Sequence, residues 1–290
     1  SNLISAYPEF NRIYNLVAKK YKLSRENLLF TAGSDQALKN TFELFYKKNK
    51  SVITIDPTFA MVDIYCKIFQ SKQIKIQYDN NLNLRINELY KSINSKVCLI
   101  IIANPNSPTG TIINKDVIEK ILKKAKKFNI KLLIDEAYFE FSTFNCLNLI
   151  KKYNNLIIIR TFSKAFGIAG LRGGYVASNK DIIKKYFAIK PMYEINSIAV
   201  KAIELLISNN KLLKRYLLEL KDGENYAKNF CKLYNYKFIK CYANFFHVSF
   251  GSNPKKIQKY LEKKKIIVKG GPGVINYEDD NFKSIENIFK

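Results

Sequence analysis

Short apolar runs alternate with amphipathic segments of helical period through the first two thirds of this 290-residue sequence. The runs have the length of strands and cover residues 28–30, 51–56, 73–77, 97–103, 131–135, 156–161 and 173–177. Residues 34–47 and 115–128 have apolar spacing near 3.6 and lie between such runs. Strands punctuated by helices predict an α/β fold, a mostly parallel seven-stranded sheet with helices on both faces. Ligands of such sheets collect where strands end.

The pattern changes near residue 196. A long helical stretch over 196–230 is followed by short strand patterns at 245–250 and 266–268, with a helix near 254–265 and a final helix over 283–290. This arrangement predicts a smaller α+β C-terminal domain. We expect a large α/β domain over 1–207 and a small domain over 208–290.

The charge balance is strongly basic, but the basic residues are scattered. The 49 Lys and Arg residues against 24 Asp and Glu residues give a net charge of +25, and the lysines are spread among Asn and Ile without a basic run. The 47% hydrophobic content, with 19 Tyr and 20 Phe, predicts a packed core and not a disordered chain. We therefore expect a lysine-coated surface, with small-molecule substrates and no nucleic-acid or membrane partner.

Cysteine and histidine usage argues against disulfides and metals. The five cysteines form no C-x-x-C pair, which predicts neither a disulfide framework nor a zinc site and fits a cytoplasmic protein. His247 is the only histidine, and we expect it to be structural. The longest apolar runs are only of strand length, and no signal peptide is visible, although residues before Ser1 are expected to be missing.

Two loops follow apolar strands. The sequence TAGSD at 31–35 opens a helix whose free N–H groups can hold a phosphate, although Ser34 or Asp35 could simply be an N-cap. The sequence NPNSPTG at 104–110 makes a rigid loop that can aim polar side chains at a ligand, or an ordinary connecting turn.

Two further segments carry ionisable groups. Asp135 ends a buried strand and needs a cation, either a structural ion pair or a cofactor with a protonated ring nitrogen. In the sequence RTFSKAFGIAGLRGG at 160–174, Lys164 lies between a strand end and a glycine-punctuated loop and can form a Schiff base. Ser163 and Arg172 in the same segment can hold an anion.

Taken in order, these motifs resemble the fold-type I pyridoxal 5'-phosphate (PLP) enzymes, specifically the class I/II aminotransferases. The sequence is most similar to the histidinol-phosphate aminotransferases, from about residue 6 to residue 268. The resemblance implies an aspartate aminotransferase-like fold and PLP as the cofactor. It implies that Lys164 holds PLP and moves the substrate's α-proton, that Asp135 pairs with the pyridinium nitrogen, and that Tyr138 donates to the phenolic oxygen of the ring.

The resemblance also assigns residues to the phosphate and to the ring face. The phosphate is expected to contact the backbone of Ser34 and Asp35, together with Ser163 and Arg172. Phe59 is expected to stack on the ring. Tyr7 is expected to reach the cofactor of the partner subunit, which implies a homodimer with shared active sites.

Three positions depart from the family pattern. Ser107 replaces the usual asparagine that donates to the phenolic oxygen, unless Asn106 takes its place. Lys269 stands where an arginine binds substrate. The segment with the arginine that grips the substrate carboxylate is missing between Phe282 and Lys283, where we expect residues to be omitted.

The resulting prediction is a cytoplasmic homodimeric aminotransferase that moves an amino group from glutamate or a similar donor to a phosphorylated keto or aldehyde acceptor. An amino-acid-phosphate decarboxylase similar to threonine-phosphate decarboxylase is the first alternative, because the same motifs serve it. The second is a noncatalytic nucleic-acid-binding protein with an aminotransferase-like domain, but no segment is left for the winged helix that such regulators carry.

Overall fold

The computed structural model describes residues 5–249, 254–265 and 282–286. A seven-stranded sheet lies at its centre, with the strand order β1-β7-β6-β5-β4-β2-β3. The strands are β1 Leu28–Ala32, β2 Ser51–Asp56, β3 Lys72–Gln77, β4 Val97–Ala103, β5 Lys131–Asp135, β6 Leu156–Thr161 and β7 Gly173–Ser178. Only the pairs β1–β7 and β6–β7 are antiparallel. The prediction of a mostly parallel seven-stranded sheet is confirmed.

Helices cover both faces of this sheet. The helices of the described residues are α1 Asn11–Tyr21, α2 Gly33–Phe45, α3 Ala60–Ile68, α4 Ile86–Ser92, α5 Lys115–Lys127, α6 Lys180–Ile189, α7 Ser197–Ser208, α8 Asn210–Leu233 and α9 Pro254–Lys263. Of these, α1, α5 and α7 lie on one face of the sheet, and α2, α3 and α6 lie on the other. None of the helices in the described ranges is both long and apolar enough to cross a membrane.

The interior strand β4 shows why helices are needed on both faces of the sheet. Its seven residues are all buried. Ile100 and Ile102 pack into a core shared with α1, α5 and α7, whereas Leu99 and Ile101 pack into a second core shared with α2, α3 and α6. Because successive side chains of a strand point to opposite faces, a strand that is apolar at every position must be covered on both. Full burial of each such side chain contributes about 1.5 to 3 kcal/mol.

A second sheet of three strands is formed by β8 Lys237–Ile239, β9 Phe245–Ser249 and β10 Phe282–Glu286, in the order β10-β9-β8. The predicted final helix over 283–290 is wrong at its start, because residues 282–286 pair antiparallel with the whole of β9. Pairing with a strand that offers a free edge satisfies the backbone groups of this segment better than an isolated short helix does. The predicted strand at 266–268 lies outside the described residues.

The chain directions bring several strand ends to one edge of the large sheet. The parallel strands β4, β5 and β6 end there, and Ala103 pairs with Asp135. Because β7 is antiparallel to β6 and β1 is antiparallel to β7, the start of β7 and the end of β1 lie at the same edge. The loops after β1, β4, β5 and β6 therefore converge.

Candidate active site

A cavity of about 230 Å³ opens at this edge. Nine of the ten residues predicted from the sequence line it: Ser34, Asp35, Phe59, Ser107, Asp135, Tyr138, Ser163, Lys164 and Arg172. The sequence reasoning missed the other lining residues, Ala103, Pro105, Ala137, Thr161 and Ala169. Four of these five adjoin a predicted residue or motif at a strand end, so the strand ends were the signal that could have found them.

Asp135 places a carboxylate at the buried base of the cavity. It ends β5 and is 9% exposed. Its Oδ1 accepts a hydrogen bond of 2.9 Å from the N–H of Ala137. Burial raises the pKa of Asp135 to about 7, although the Ala137 hydrogen bond and the charge of Lys164 act in the opposite direction. Because burial makes the ionised form of Asp135 unfavourable, a bound cation facing it would stabilise the carboxylate.

The buried arginine near Asp135 pairs with its neighbour and not with Asp135 itself. Arg160 donates to Oε2 of Glu136 from Nε at 2.9 Å and from Nη2 at 2.6 Å, and both side chains are almost fully buried. The N–H of Cys146 donates to Oε1 of Glu136 at 2.5 Å. This pair therefore does not neutralise Asp135, which is left facing the cavity. Sequence reasoning missed the pair, although an arginine in the buried strand β6 already demands a carboxylate partner.

Lys164 lies in the turn after β6, and its Nζ is 5.0 Å from the centroid of the Tyr138 ring. The turn before it is held by Thr161, whose Oγ1 accepts from the N–H of Ser163 at 3.1 Å and lies 2.9 Å from the Ser163 Oγ. The backbone that carries the Lys164 amine is thus fixed, and the amine lies near an aromatic ring and acts on a buried carboxylate.

The start of α2 is the candidate anion-binding end of the cavity. Ala32 occupies the N-cap position without a side-chain cap, so the N-cap interpretation of Ser34 or Asp35 is wrong. The first N–H groups of a helix lack partners within the helix and attract anions. Gly33 has a φ of +78°, and a Cβ there would lie 2.9 Å from Nη2 of Arg172. The guanidinium of Arg172 therefore lies against the start of the helix.

Close backbone packing fixes this anion-binding end. A Cβ on Gly174 would lie 2.5 Å from the carbonyl carbon of Gly33 and 2.7 Å from the nitrogen of Ser34. Arg172 itself has a φ of 55°, a left-handed conformation that is strained for a residue with a side chain. Such strain is typical of functional sites, and here it belongs to a residue that lines the cavity.

The loop at 104–110 separates the roles of two neighbouring polar residues. The amide nitrogen of Asn106 donates to the Pro57 carbonyl and to Thr109 Oγ1, at 2.9 and 2.8 Å, and its oxygen accepts from Thr58 at 2.9 Å. Both polar atoms of the Asn106 side chain thus have hydrogen-bond partners within the protein, whereas Ser107 lines the cavity. This geometry favours Ser107, and not Asn106, as the residue of this pair that meets a ligand.

Tyr7 is the one predicted residue that is not brought to the cavity of its own chain. It is 77% exposed and stacks on Tyr193 with ring centroids 4.2 Å apart. His247, predicted to be structural, is buried and far along the chain from the motifs. Lys269 lies outside the described residues. Within those residues, no group of three or more His, Cys, Asp or Glu side chains could hold a metal ion.

The family model for aminotransferases of class I and II matches residues 5–277. The histidinol-phosphate aminotransferase 1 of Carboxydothermus hydrogenoformans is 31% identical over 272 residues, which cover 93% of this chain and 77% of that protein.

Solved structures share the fold. The crystal structure of the histidinol-phosphate aminotransferase from Clostridium acetobutylicum matches with a TM-score of 0.86 and 25% identity, covering 98% of this chain and 86% of that one. The Sinorhizobium meliloti histidinol-phosphate aminotransferase in complex with PLP matches with a TM-score of 0.84 and 20% identity, covering 97% and 78%. L-threonine-O-3-phosphate decarboxylase from Porphyromonas gingivalis has the same fold, with a TM-score of 0.78, 20% identity, and coverage of 98% and 88%.

The family match spans nearly the whole chain, and the cavity is lined by nine of the ten residues that the resemblance assigned to the cofactor. The chain therefore belongs to the class I and II aminotransferases, the PLP-dependent transaminases.

Proposed function

We propose that this aminotransferase is histidinol-phosphate aminotransferase-like. It moves an amino group between glutamate, or a similar donor, and a phosphorylated keto or aldehyde acceptor. The observation that carries this proposal is one cavity of about 230 Å³ in which Lys164, Asp135 and the anion-binding end of α2 lie together. The named relatives support the choice of substrate class.

The chemistry of the cavity fits PLP. The cofactor carries a phosphate, an aldehyde, a phenolic oxygen and a ring nitrogen that can be protonated. The start of α2, Ser163 and Arg172 would hold the phosphate, because backbone N–H groups, a hydroxyl and a guanidinium converge there. Tyr138 and Ser107 would donate to the phenolic oxygen. Phe59 lines the cavity and would stack on the ring.

Asp135 would hold a proton on the ring nitrogen. The pKa of Asp135, raised by burial, shows that its ionised form lacks sufficient compensation from the protein alone. A cationic ring nitrogen supplies that compensation and keeps the carboxylate charged. When bound, PLP supplies an electron sink for negative charge at the α-carbon of the substrate. Asp135 keeps this sink effective by preventing loss of the ring proton.

Lys164 would hold the cofactor at its aldehyde carbon through Nζ, and the same amine, when free, would accept the α-proton of the substrate and return it. Proton transfer of this kind needs an amine positioned within hydrogen-bonding reach of the α-carbon. The fixed turn between Thr161 and Ser163 limits where Lys164 can reach. Its Nζ lies 5.0 Å from the centroid of the Tyr138 ring, and its charge acts on Asp135, which agrees with this role.

We also propose a homodimer with shared active sites, in which Tyr7 meets the cofactor of the partner subunit. The support is an exposed apolar surface around the first described residues. Met192, Tyr193 and Ile198 are 77%, 40% and 49% exposed, and Tyr7 stacks on Tyr193. Exposed apolar clusters on a folded protein are typical of interfaces. Light scattering should give twice the mass of one chain, and a monomer would contradict the proposal.

We further propose that the two domains divide between residues 207 and 208 and that the protein is cytoplasmic. The break between α7 and α8 at Asn209 supports the division. Helix α7 packs against α1 and β7, whereas α8 packs against β8 as well as against α7. The five cysteines are buried free thiols, which supports a reducing compartment.

Loading the protein with PLP and adding glutamate without an acceptor tests the proposed reaction. We expect one equivalent of 2-oxoglutarate for each active site. Lys164→Ala should lose this burst and the visible absorbance of the bound cofactor. Lys120→Ala, which removes an exposed lysine of α5, should keep both. Carbon dioxide release from an amino-acid phosphate, without 2-oxoglutarate from glutamate, would instead establish the decarboxylase alternative.

A further inference from the structure

The small sheet makes a polar contact with the loop that borders the cofactor cavity. His247 on β9 places its Nε2 2.9 Å from the carbonyl oxygen of Pro108, the residue after Ser107. We propose that His247 is a positioning residue that holds the 104–110 loop so that Ser107 faces the cavity. The part of this inference that concerns the cofactor rests on the proposed function.

The chemistry of the imidazole supports a specific role. A carbonyl oxygen only accepts, so Nε2 must carry the proton, and burial lowers the pKa of His247 and keeps the ring neutral. The other nitrogen, Nδ1, is buried and has no partner among the described side chains. An aliphatic residue would avoid the cost of that unpaired nitrogen. What the imidazole adds at this position is the hydrogen bond to the loop.

Two further contacts place the loop against the connection between β8 and β9. The N–H of Tyr242 donates to the carbonyl of Gly110 at 2.8 Å. Gly110 has a φ of +70°, and any side chain there would overlap Cys241. The C-terminal half of the loop is therefore packed closely against residues 241–247, while Ser107 at its tip lines the cavity.

The other side of the cavity touches the same strand. The Tyr138 ring meets the Phe245 ring edge to face, with centroids 5.9 Å apart. Phe245 and His247 are alternate residues of β9, so they point to the same face of the small sheet. One strand thus supports the two residues, Ser107 and Tyr138, that are proposed to contact the phenolic oxygen of PLP.

Three variants distinguish a role of His247 in holding the loop from a role in packing the small sheet. His247→Leu fills a similar volume, removes the hydrogen bond and also removes the unpaired Nδ1. His247→Gln retains an N–H donor that can reach Pro108. Val248→Ala weakens β9 on its opposite face, where Val248 packs with Cys231 and Phe246, without touching the loop.

Amide hydrogen exchange of the cofactor-free protein reports on the loop directly. We expect exchange of residues 106–111 to quicken about tenfold in His247→Leu, because one buried hydrogen bond is lost. The melting temperature should be unchanged or higher. His247→Gln should restore slow exchange. Unchanged exchange in His247→Leu, or equal quickening in Val248→Ala, would overturn the positioning role.

Dissociation of PLP from the loaded protein tests the second half of the inference. His247→Leu should release PLP about tenfold faster than the unmodified protein, and His247→Gln should release it at close to the normal rate. Equal release from all variants would show that the contact does not present Ser107 to the cofactor. Failure of the unmodified protein to bind PLP would refute the proposed function instead, and the exchange experiment would still decide whether His247 holds the loop.

Discussion

Replacing Asp135 with asparagine removes a buried charge and separates two of its effects. One is the loss of folding stability in the cofactor-free protein, and the other is the stabilisation of bound PLP. In the folded, cofactor-free protein the pKa of Asp135 is about 7, against an ordinary value of 3.8. The fold therefore favours the protonated carboxyl group of Asp135. The free energy of unfolding that this preference contributes is fully present below about pH 4 and is lost as the pH rises to about 7. At about 1.4 kcal/mol for each pH unit, this interval corresponds to about 4 kcal/mol.

The assay is urea denaturation of the two cofactor-free proteins at several pH values. The asparagine side chain stays neutral and can still accept the Ala137 hydrogen bond, so Asp135→Asn should gain stability relative to the unmodified protein by up to about 4 kcal/mol between pH 4 and pH 7. The pKa of Glu194 is also raised to about 7 by burial, but Glu194 is present in both proteins and cancels in the comparison. A stability difference that does not change with pH would refute the reasoning.

With PLP bound, the unmodified protein should be more stable than Asp135→Asn. A protonated ring nitrogen opposite Asp135 stabilises the unmodified protein more than Asp135→Asn, because only the carboxylate offers it an opposite charge. The variant should also turn over more slowly by orders of magnitude, since the ring loses its proton more easily. Equal stabilisation of both proteins by PLP would show that Asp135 does not face the ring nitrogen.

Two other predictions concern residues that support the cavity. Arg160→Met leaves the Glu136 carboxylate buried and unpaired, so the free energy of unfolding from urea denaturation should fall by about 3 to 5 kcal/mol, and adding Glu136→Gln to the same chain should recover part of the loss. Gly174→Ala should weaken PLP binding about tenfold or more in an equilibrium titration, because its Cβ would displace the start of α2. Gly170→Ala is the matched control, since a Cβ there meets nothing within 4 Å, and equal losses in the two glycine variants would contradict this explanation.

Much of the large sheet could be predicted because its strands are buried on both sides. Val97–Ala103 is apolar at every position, and such runs separated by amphipathic helices leave few arrangements other than a covered parallel sheet. The segment at 282–286 could not be predicted in the same way. It is short and mixed in polarity, and it is a strand only because β9 offers an edge to pair with.

The parts of the candidate site that depend on local sequence could also be predicted. Its chemical groups are local in the sequence: Lys164 beside Ser163, Asp135 at the end of an apolar run, and the glycine before Ser34. These motifs carry the family resemblance that implied PLP as the cofactor. They also contain most of the residues that line the cavity, because each motif lies at a strand end or in the loop that follows it.

The sequence by itself determined the sheet, the helical layers and most of the residue types that line the cavity, since these follow from periodicity and from short motifs. Only the tertiary structure decided which partner each buried group takes. Arg160 forms its ion pair with Glu136, so Asp135 faces the cavity without that partner. His247 contacts Pro108, which lies 139 positions away in the chain. Such pairings depend on which distant segments pack together, and hydrophobic periodicity carries no information about that choice.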